Sequence, residues 1–321
     1  MYPFIGKKLL SFSCILLGIS FLTFLLLHIS PADPAYLKLA AAGVPPTREA
    51  LEMERHIMGI DKPFLEQYFI WLKNVIHGNF GTSYQYDTPV LPIFLRDLPN
   101  TIKLVFLGLI VSGMISFFSA MISAFCKNTW IDSFLKNISN ISIAIPDFYL
   151  TLLFMYIFSV RLHILPIVSR SDTKSLILPV LVLGIVSSGK PTRYIRSRLL
   201  EELSKDYVKG AYARGLSAPL VMFHHVLKNS MVGIITVIGL TLGNLLGGTA
   251  AIEFLTSYKG VGNLILEAIE HRDMPMIQLY VLWMAMSFLL INLLVDFSYH
   301  FFNPQIKWKI KQNGRRHHHE R

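Results

Sequence analysis

The run IKLVFLGLIVSGMISFFSAMISAF, residues 102–125, decides the fold, because it is apolar throughout apart from Lys103 and scattered serines. As a helix rising ~1.5 Å per residue it reaches about 36 Å, more than the roughly 30 Å hydrocarbon layer of a bilayer. Five more such runs stand at 9–29, 138–160, 175–189, 231–252 and 277–302, the fourth short and carrying Pro179. The predicted fold is all-α, an integral membrane protein with about six transmembrane helices, because a lipid-embedded helix satisfies its own backbone. Composition agrees: the 321 residues are 53% hydrophobic and 16% charged, with mean hydropathy +0.49. An ordinary soluble domain is about 25% charged.

The net charge of +10 fits either a nucleic-acid surface or the retention of Lys and Arg on the cytoplasmic side of a membrane. With the N-terminus inside, the inner segments take Lys7, Lys8, Lys127, Lys136, eight basic residues from Lys190 to Lys228, and six in the tail. The short outer loops hold only Arg161, Arg170, Lys174, Lys259 and Arg272. Topology thus accounts for the charge: no nucleic-acid partner is expected, lipid is the neighbour, and both termini lie in the cytoplasm. Cys14 and Cys126 fall in or at the end of apolar runs, where they read as small buried hydrophobes rather than a disulfide. The first run follows Lys7 and Lys8 but is longer than a signal-peptide core and ends on no A-x-A site, so it reads as a retained helix.

Four regions follow: an N-terminal transmembrane helix at 1–30, an extracytoplasmic region with short helices at 31–97, a five-helix core at 98–302, and a basic cytoplasmic tail at 303–321 containing His317, His318 and His319. In the outer region Thr47 can cap a helix reaching Met58, with Gly59 as its stop. Asp61 and Pro63 can start another whose apolar face (Phe64, Leu65, Tyr68, Phe69, Leu72, Val75, Ile76) suits the outer membrane surface, with Trp71 at the interface.

Chemistry is sparse. The segment GIVSSGK at 184–190 imitates a phosphate-binding loop, but Pro191 occupies the position of the magnesium-binding Ser or Thr and no strand precedes it. No G-x-S-x-G, H-E-x-x-H or C-x-x-C pattern is present. The informative region is the inner loop 190–229, where Asp206 can cap a short helix, Gly215 can supply a left-handed stop, and Ser217 with Pro219 can start a second helix towards the fifth span. Two readings remain open from the residues alone: a basic loop on anionic lipid, or a docking element for a cytoplasmic partner.

The run DYVKGAYARGLS at 206–217, followed by HVLKNS at 225–230, resembles the inner loop of permeases of bacterial nickel and peptide ABC importers. The resemblance extends over almost the whole chain: MGIDKP at 58–63, QYFIWL at 67–72, NFGTS at 79–83, LPNTIKL at 98–104, PDFYL at 146–150, RLHILP at 161–166, and RDMPMIQ, NLLVD and NPQ near the end. Departures are Lys259, where a proline is usual, and Asp147, where Ser or Asn is usual. Lys209, Gly210 and Ala211 replace the Glu-Ala-Ala of the broader importer motif, which this subfamily commonly lacks.

The resemblance implies a type I ABC-importer permease fold. It makes Asp206, Tyr207, Lys209, Gly210, Ala211, Arg214, Gly215 and Leu216 the coupling element that sits in a cleft of an ATPase. It implies four partners: a second homologous permease, two cytoplasmic ATPases, and an extracytoplasmic substrate-binding protein. ATP and Mg belong to the ATPases, and this chain binds no cofactor and catalyses no bond chemistry. Transport follows by alternating access. The stretches GVPPTREAL at 43–51 and GGTAAIE at 247–253 resemble nickel permeases more than peptide ones, so nickel or a nickel chelate is the expected cargo, with dipeptide or oligopeptide import as the alternative. A secondary transporter is a more distant alternative, which several coupling charges in mid-membrane and the lack of a docking loop would favour.

Within the spans, Gly239, Gly243 and Gly247 recur every four residues, which lets a backbone approach closely. That contact is either within the chain or between two permeases, with Asn244 beside it as a pathway or packing residue. Asp147 lies about nine residues into the third predicted span, roughly 14 Å deep, where a carboxylate faces either a translocation path favouring cations or a hydrogen-bonded packing site. Glu253 and Lys103 sit near span ends, where snorkelling is easy. Asp296 matches a family position for helix or subunit contacts. His271, Asp273, Met274 and Met276 resemble a metal-ligand set, although peptide permeases share much of that pattern; the metal assignment stays unknown.

Overall fold

A computed structural model describes residues 2–29, 33–166 and 173–302; the histidine-containing tail and the NPQ motif lie outside the described residues. In chain order the α-helices are α1 (Tyr2–Ile29), α2 (Pro34–Ala41), α3 (Arg48–Met58), α4 (Phe64–Ile76), α5 (Val90–Phe125), α6 (Trp130–Ala144), α7 (Asp147–Phe154), α8 (Ile177–Leu203), α9 (Asp206–Ala213), α10 (Ala218–Val221), α11 (Leu227–Leu255), α12 (Val261–Glu270) and α13 (Met274–Phe302). Among the described residues five helical segments are long and apolar enough to cross a membrane, and the α6–α7 pair, bent by 104°, makes up to six if it counts as one span. The residues form two compact units, one drawn from residues up to 103 and from 249–289, the other from 104–166, 173–248 and 290–302.

In the first unit, local capping decides the short helices. Thr47 Oγ1 accepts from the Ala50 N–H at 3.3 Å, and Gly59 closes α3 at φ +69°, as expected. Asp33 caps α2 in the same way, accepting from Ala35 N–H at 3.0 Å with Pro34 in the first turn; this helix was not predicted. Asp61 does not cap α4, because its carboxylate meets His56 Nδ1 at 2.8 Å and Pro63 takes the cap position. The apolar face of α4 is divided: Leu65, Phe69 and Ile76 stay exposed, while its other side is covered. That side packs on α1, with Phe24 within 5.5 Å of Tyr68 and 5.9 Å of Trp71 by ring centroids, and Tyr68 Oη 3.0 Å from Ser20 Oγ.

In the second unit the third predicted span, 138–160, is not one helix. α6 and α7 meet at a 104° bend. Ile145 is extended at φ −82°, ψ 126°, and Pro146 opens α7, because a residue before proline is pushed out of the helical region. The fourth span is longer than predicted and continues as α8 to Leu203 despite Pro191. α8 lies close on α6 at Gly189, where a Cβ would come 2.6 Å from the Ser139 carbonyl oxygen. Ser142 Oγ donates to the Ile185 carbonyl at 2.8 Å across the same contact. Cys14 is exposed and Cys126 half-buried, so neither is the buried residue expected; α1 presents Cys14 outward from an apolar surface.

Candidate functional site

The loop after α8 forms the expected helix, elbow and helix. α9 has eight residues, too few to hold a helix alone in water, so tertiary burial must hold it. Val208 and Ala211 supply that burial, packing with Ile195, Leu199, Val221, Met222 and Val226 in one apolar cluster, with Leu216 against its edge. Gly215 stands at φ +81°, its N–H bonded to the Tyr212 carbonyl at 2.9 Å, while Leu216 N–H reaches the Ala211 carbonyl at 3.3 Å. Asp206 is not the cap. Lys205 takes that position with extended backbone and no side-chain cap bond, and the Asp206 carboxylate instead accepts from Lys209 Nζ at 2.8 Å. Tyr207 Oη donates to Glu202 at 2.8 Å. The face away from the cluster leaves Asp206, Tyr207, Lys209, Tyr212 and Arg214 exposed, with the Gly210 backbone half-buried 3.7 Å from the Arg214 guanidinium as a Cβ would see it. A helix anchored by two small side chains and polar on its outer face can present a surface to a partner without unfolding. Beyond the elbow, α10 runs through a π-helical turn, Met222–Val226, into α11.

A second feature of the same unit is a cavity of about 170 Å³. It brings together Asp147 and Asn244, which sequence treated separately, and adds Lys190, which sequence placed among loop cations. The bend at Pro146 corrects the reading of Asp147 as mid-helix: it is the first residue of α7, and its Oδ2 lies 3.6 Å from where a Cβ on Gly248 would sit. The glycine stripe does not share one environment. A Cβ on Gly239 would collide with Val295 of α13, so that glycine serves packing within the chain; Gly243 is buried and Gly247 exposed.

Sequence missed the ion pair joining α6 to α8. Asp132, fully buried, takes Arg196 Nε and Nη2 at 2.8 Å each on its two oxygens, together with Asn128 N–H at 3.1 Å. The Thr129-x-x-Asp132 spacing signalled only the start of α6, where Thr129 Oγ1 accepts from Asp132 N–H, and carried no sign of Arg196. In the first unit Glu253 does not snorkel: it is fully buried, accepting from Thr101 Oγ1 at 2.8 Å and from the Gly262 and Asn263 N–H groups at 2.7 and 3.1 Å. The ligand-like set at 271–276 does not converge on a cation. Asp273 accepts from Ser83 Oγ, Met276 is buried in an apolar cluster, and no metal-competent group of His, Cys, Asp and Glu exists among the described residues. The phosphate-loop imitation at 184–190 lies inside α8 and forms no loop.

Residues 115–308 match the family model described as binding-protein-dependent transport system inner membrane component, and residues 1–105 match the N-terminal model of such membrane components. The glutathione transport system permease protein GsiC of Escherichia coli (strain K12) is 33% identical over 309 residues, covering 96% of this chain and all of that protein. Its counterpart in Pectobacterium atrosepticum is 36% identical over 310 residues with the same coverage. Among solved structures, the inward-facing MetNI methionine ABC transporter aligns with TM-score 0.57 at 15% identity, over 66% of this chain and 96% of that one. An amino acid ABC transporter solved with histidines aligns with TM-score 0.53 at 16% identity, over 64% and 92%. These likenesses give the fold as the type I importer permease fold. The chain is thus a multi-pass inner-membrane component of an ABC importer, working with ATPase and substrate-binding partners rather than as an enzyme itself, and it belongs to the binding-protein-dependent transport system inner membrane component family.

Proposed function

We propose that this chain is one of two homologous permeases through which a short peptide crosses the inner membrane, driven by two cytoplasmic ATPases docked on α9 and its counterpart. The observation that carries the cargo is full-length similarity at 33–36% identity to permeases named for glutathione, a tripeptide. This moves the reading from nickel to its peptide alternative. In this mechanism both termini and the segment after α8, residues 204–226, face the cytoplasm, ATP and Mg stay on the ATPases, and the external binding protein delivers cargo to an outward-opened path lined by Asp147 and Asn244. ATP closure of the ATPase pair moves α9, and the rigid Gly215 elbow passes that motion to α11.

Nickel remains the second reading because of GVPPTREAL at 43–51 and GGTAAIE at 247–253. Uptake of radiolabelled glutathione, a labelled dipeptide and radioactive nickel, compared in a strain lacking this gene and in the complemented strain, separates them. Loss of peptide uptake alone is expected. Loss of nickel uptake alone overturns the peptide reading.

A further inference from the structure

We infer that the cavity lined by Asp147, Ser187, Lys190 and Asn244 is a subsite of the permease itself for a zwitterion, the free ammonium and carboxylate ends of a compact peptide. It rests on the peptide-import reading and adds where in this chain the cargo is recognised.

The polar groups of the wall divide into spent and unspent. Ser142 Oγ is bonded to the Ile185 carbonyl and Thr241 Oγ1 to the Val237 carbonyl at 2.7 Å. The side chains of Asp147, Ser187, Lys190 and Asn244 have no hydrogen-bond or ion-pair partner on another residue among the described residues. Pro191 adds an acceptor, because it has no N–H to give the Ser187 carbonyl one turn back. Ionisable groups inside membrane segments are costly and mark ligand or ion paths. Here two of opposite sign line one cavity without closing on each other.

Their charges sum to zero, so the cavity offers a bare divalent cation no net attraction and sets an ammonium in its way. A ligand with both signs at its ends satisfies each wall. Its ammonium meets Asp147 and the Ser187 carbonyl, and its carboxylate meets Lys190 and the Asn244 amide. The cavity, about 170 Å³ and open where Lys190 and Asn244 are exposed, suits a small dipeptide or one end of a longer one. Gly248 leaves the flank of the carboxylate open, since a Cβ there sits at an ordinary contact distance of 3.6 Å from Asp147 Oδ2.

The test uses cells carrying the complete transporter, with this chain as wild type, Asp147→Asn, Lys190→Met or Gly248→Ala. Uptake kinetics are measured for labelled alanyl-alanine in free, N-acetylated and C-amidated forms, with membrane levels followed by immunoblot. The binding protein is common to all strains, so its own end preference cancels in each variant-to-wild-type ratio. Lys190→Met should raise KM for the free peptide about tenfold and erase discrimination against the amide, while Asp147→Asn erases discrimination against the N-acetyl form. Gly248→Ala, which fits sterically, should keep full membrane levels and raise KM for the free peptide. Wild-type kinetics in both charge variants, or a uniform fall in Vmax for all three peptides, overturns the subsite and leaves peptide import standing. A wild type that imports none of the peptides removes the peptide reading and the subsite with it.

Discussion

Replacing Gly215 by alanine changes a backbone preference and leaves the packing alone. The residue sits at φ +81°, and a Cβ there would meet no atom within 4 Å. The cost is therefore the left-handed penalty of an L-residue, about 1–2 kcal/mol, with no clash to add. It falls on the two hydrogen bonds that close the elbow and hence on the eight-residue α9. A penalty of about 1.4 kcal/mol lowers the ordered population tenfold relative to the open one. Asparagine enters the left-handed region more easily than alanine, and a β-branched side chain less easily, so order should fall from Gly to Asn to Ala to Val. Hydrogen exchange of the α9 amides measures that order, and uptake by membrane vesicles holding the whole transporter measures its consequence. If α9 receives the ATPase, uptake falls in the same sequence as protection. Faster exchange in Gly215→Ala with unchanged uptake refutes the docking role, and unchanged exchange refutes the backbone reasoning itself.

Arg196→Ala removes the two guanidinium bonds from the buried Asp132 carboxylate but leaves it Ser123 Oγ, the Asn128 N–H and Lys136 at 3.4 Å, so it should cost about 1.5–3 kcal/mol, whereas Asp132→Leu with Arg196→Met should restore most of it; denaturation midpoints in detergent decide, and a single variant as stable as the double contradicts the pairing. Pro146→Ala frees Ile145 to become helical, which should straighten α6 into α7, move Asp147 and abolish uptake at normal membrane levels; retained uptake means the bend is not needed. Burial and the neighbouring Glu253 carboxylate push the Tyr258 phenol from 10.0 up to about 12. The folded state therefore favours neutral phenol, and that stabilisation is complete below pH 10 and lost as pH climbs to about 12. Tyr258→Phe should flatten the alkaline limb of a stability–pH curve, and an unaltered limb would show that Tyr258 does not govern it.

Local signals were readable where neighbours in sequence are also partners. Thr47 with Gly59, and Gly215 with its elbow, are caps and stops whose partners lie within a turn. Asp33-Pro34 carried the same kind of signal for α2 and was passed over inside a long loop. The break at Ile145 was announced by Pro146, but an apolar run of spanning length masked it, since hydropathy does not register a turn. Asp206 was misassigned by one position because Lys205 is already extended and Lys209 claims the carboxylate. Glu253 and the Asp132–Arg196 pair depend on groups 152 and 64 residues away in the chain, which no local pattern reveals. The cavity joins α6, α7, α8 and α11 for the same reason: its chemistry is a property of their crossing rather than of any one helix.

α6 and α8 are fastened at two places, the Gly189 backbone against Ser139 and the Arg196 guanidinium on Asp132. The fasteners are seven residues apart along α8, about 10 Å. One fastener would make a swivel, but two make the pair of helices a single plate. In the proposed mechanism a push delivered at the α9 end of this plate would travel along it to the bend at Ile145 and Pro146, beyond which α7 also packs on α8. Lys190 rides on the plate and Asp147 lies just past the hinge. The gap between the two charges is then the coordinate along which the plate's motion would load and empty the cavity.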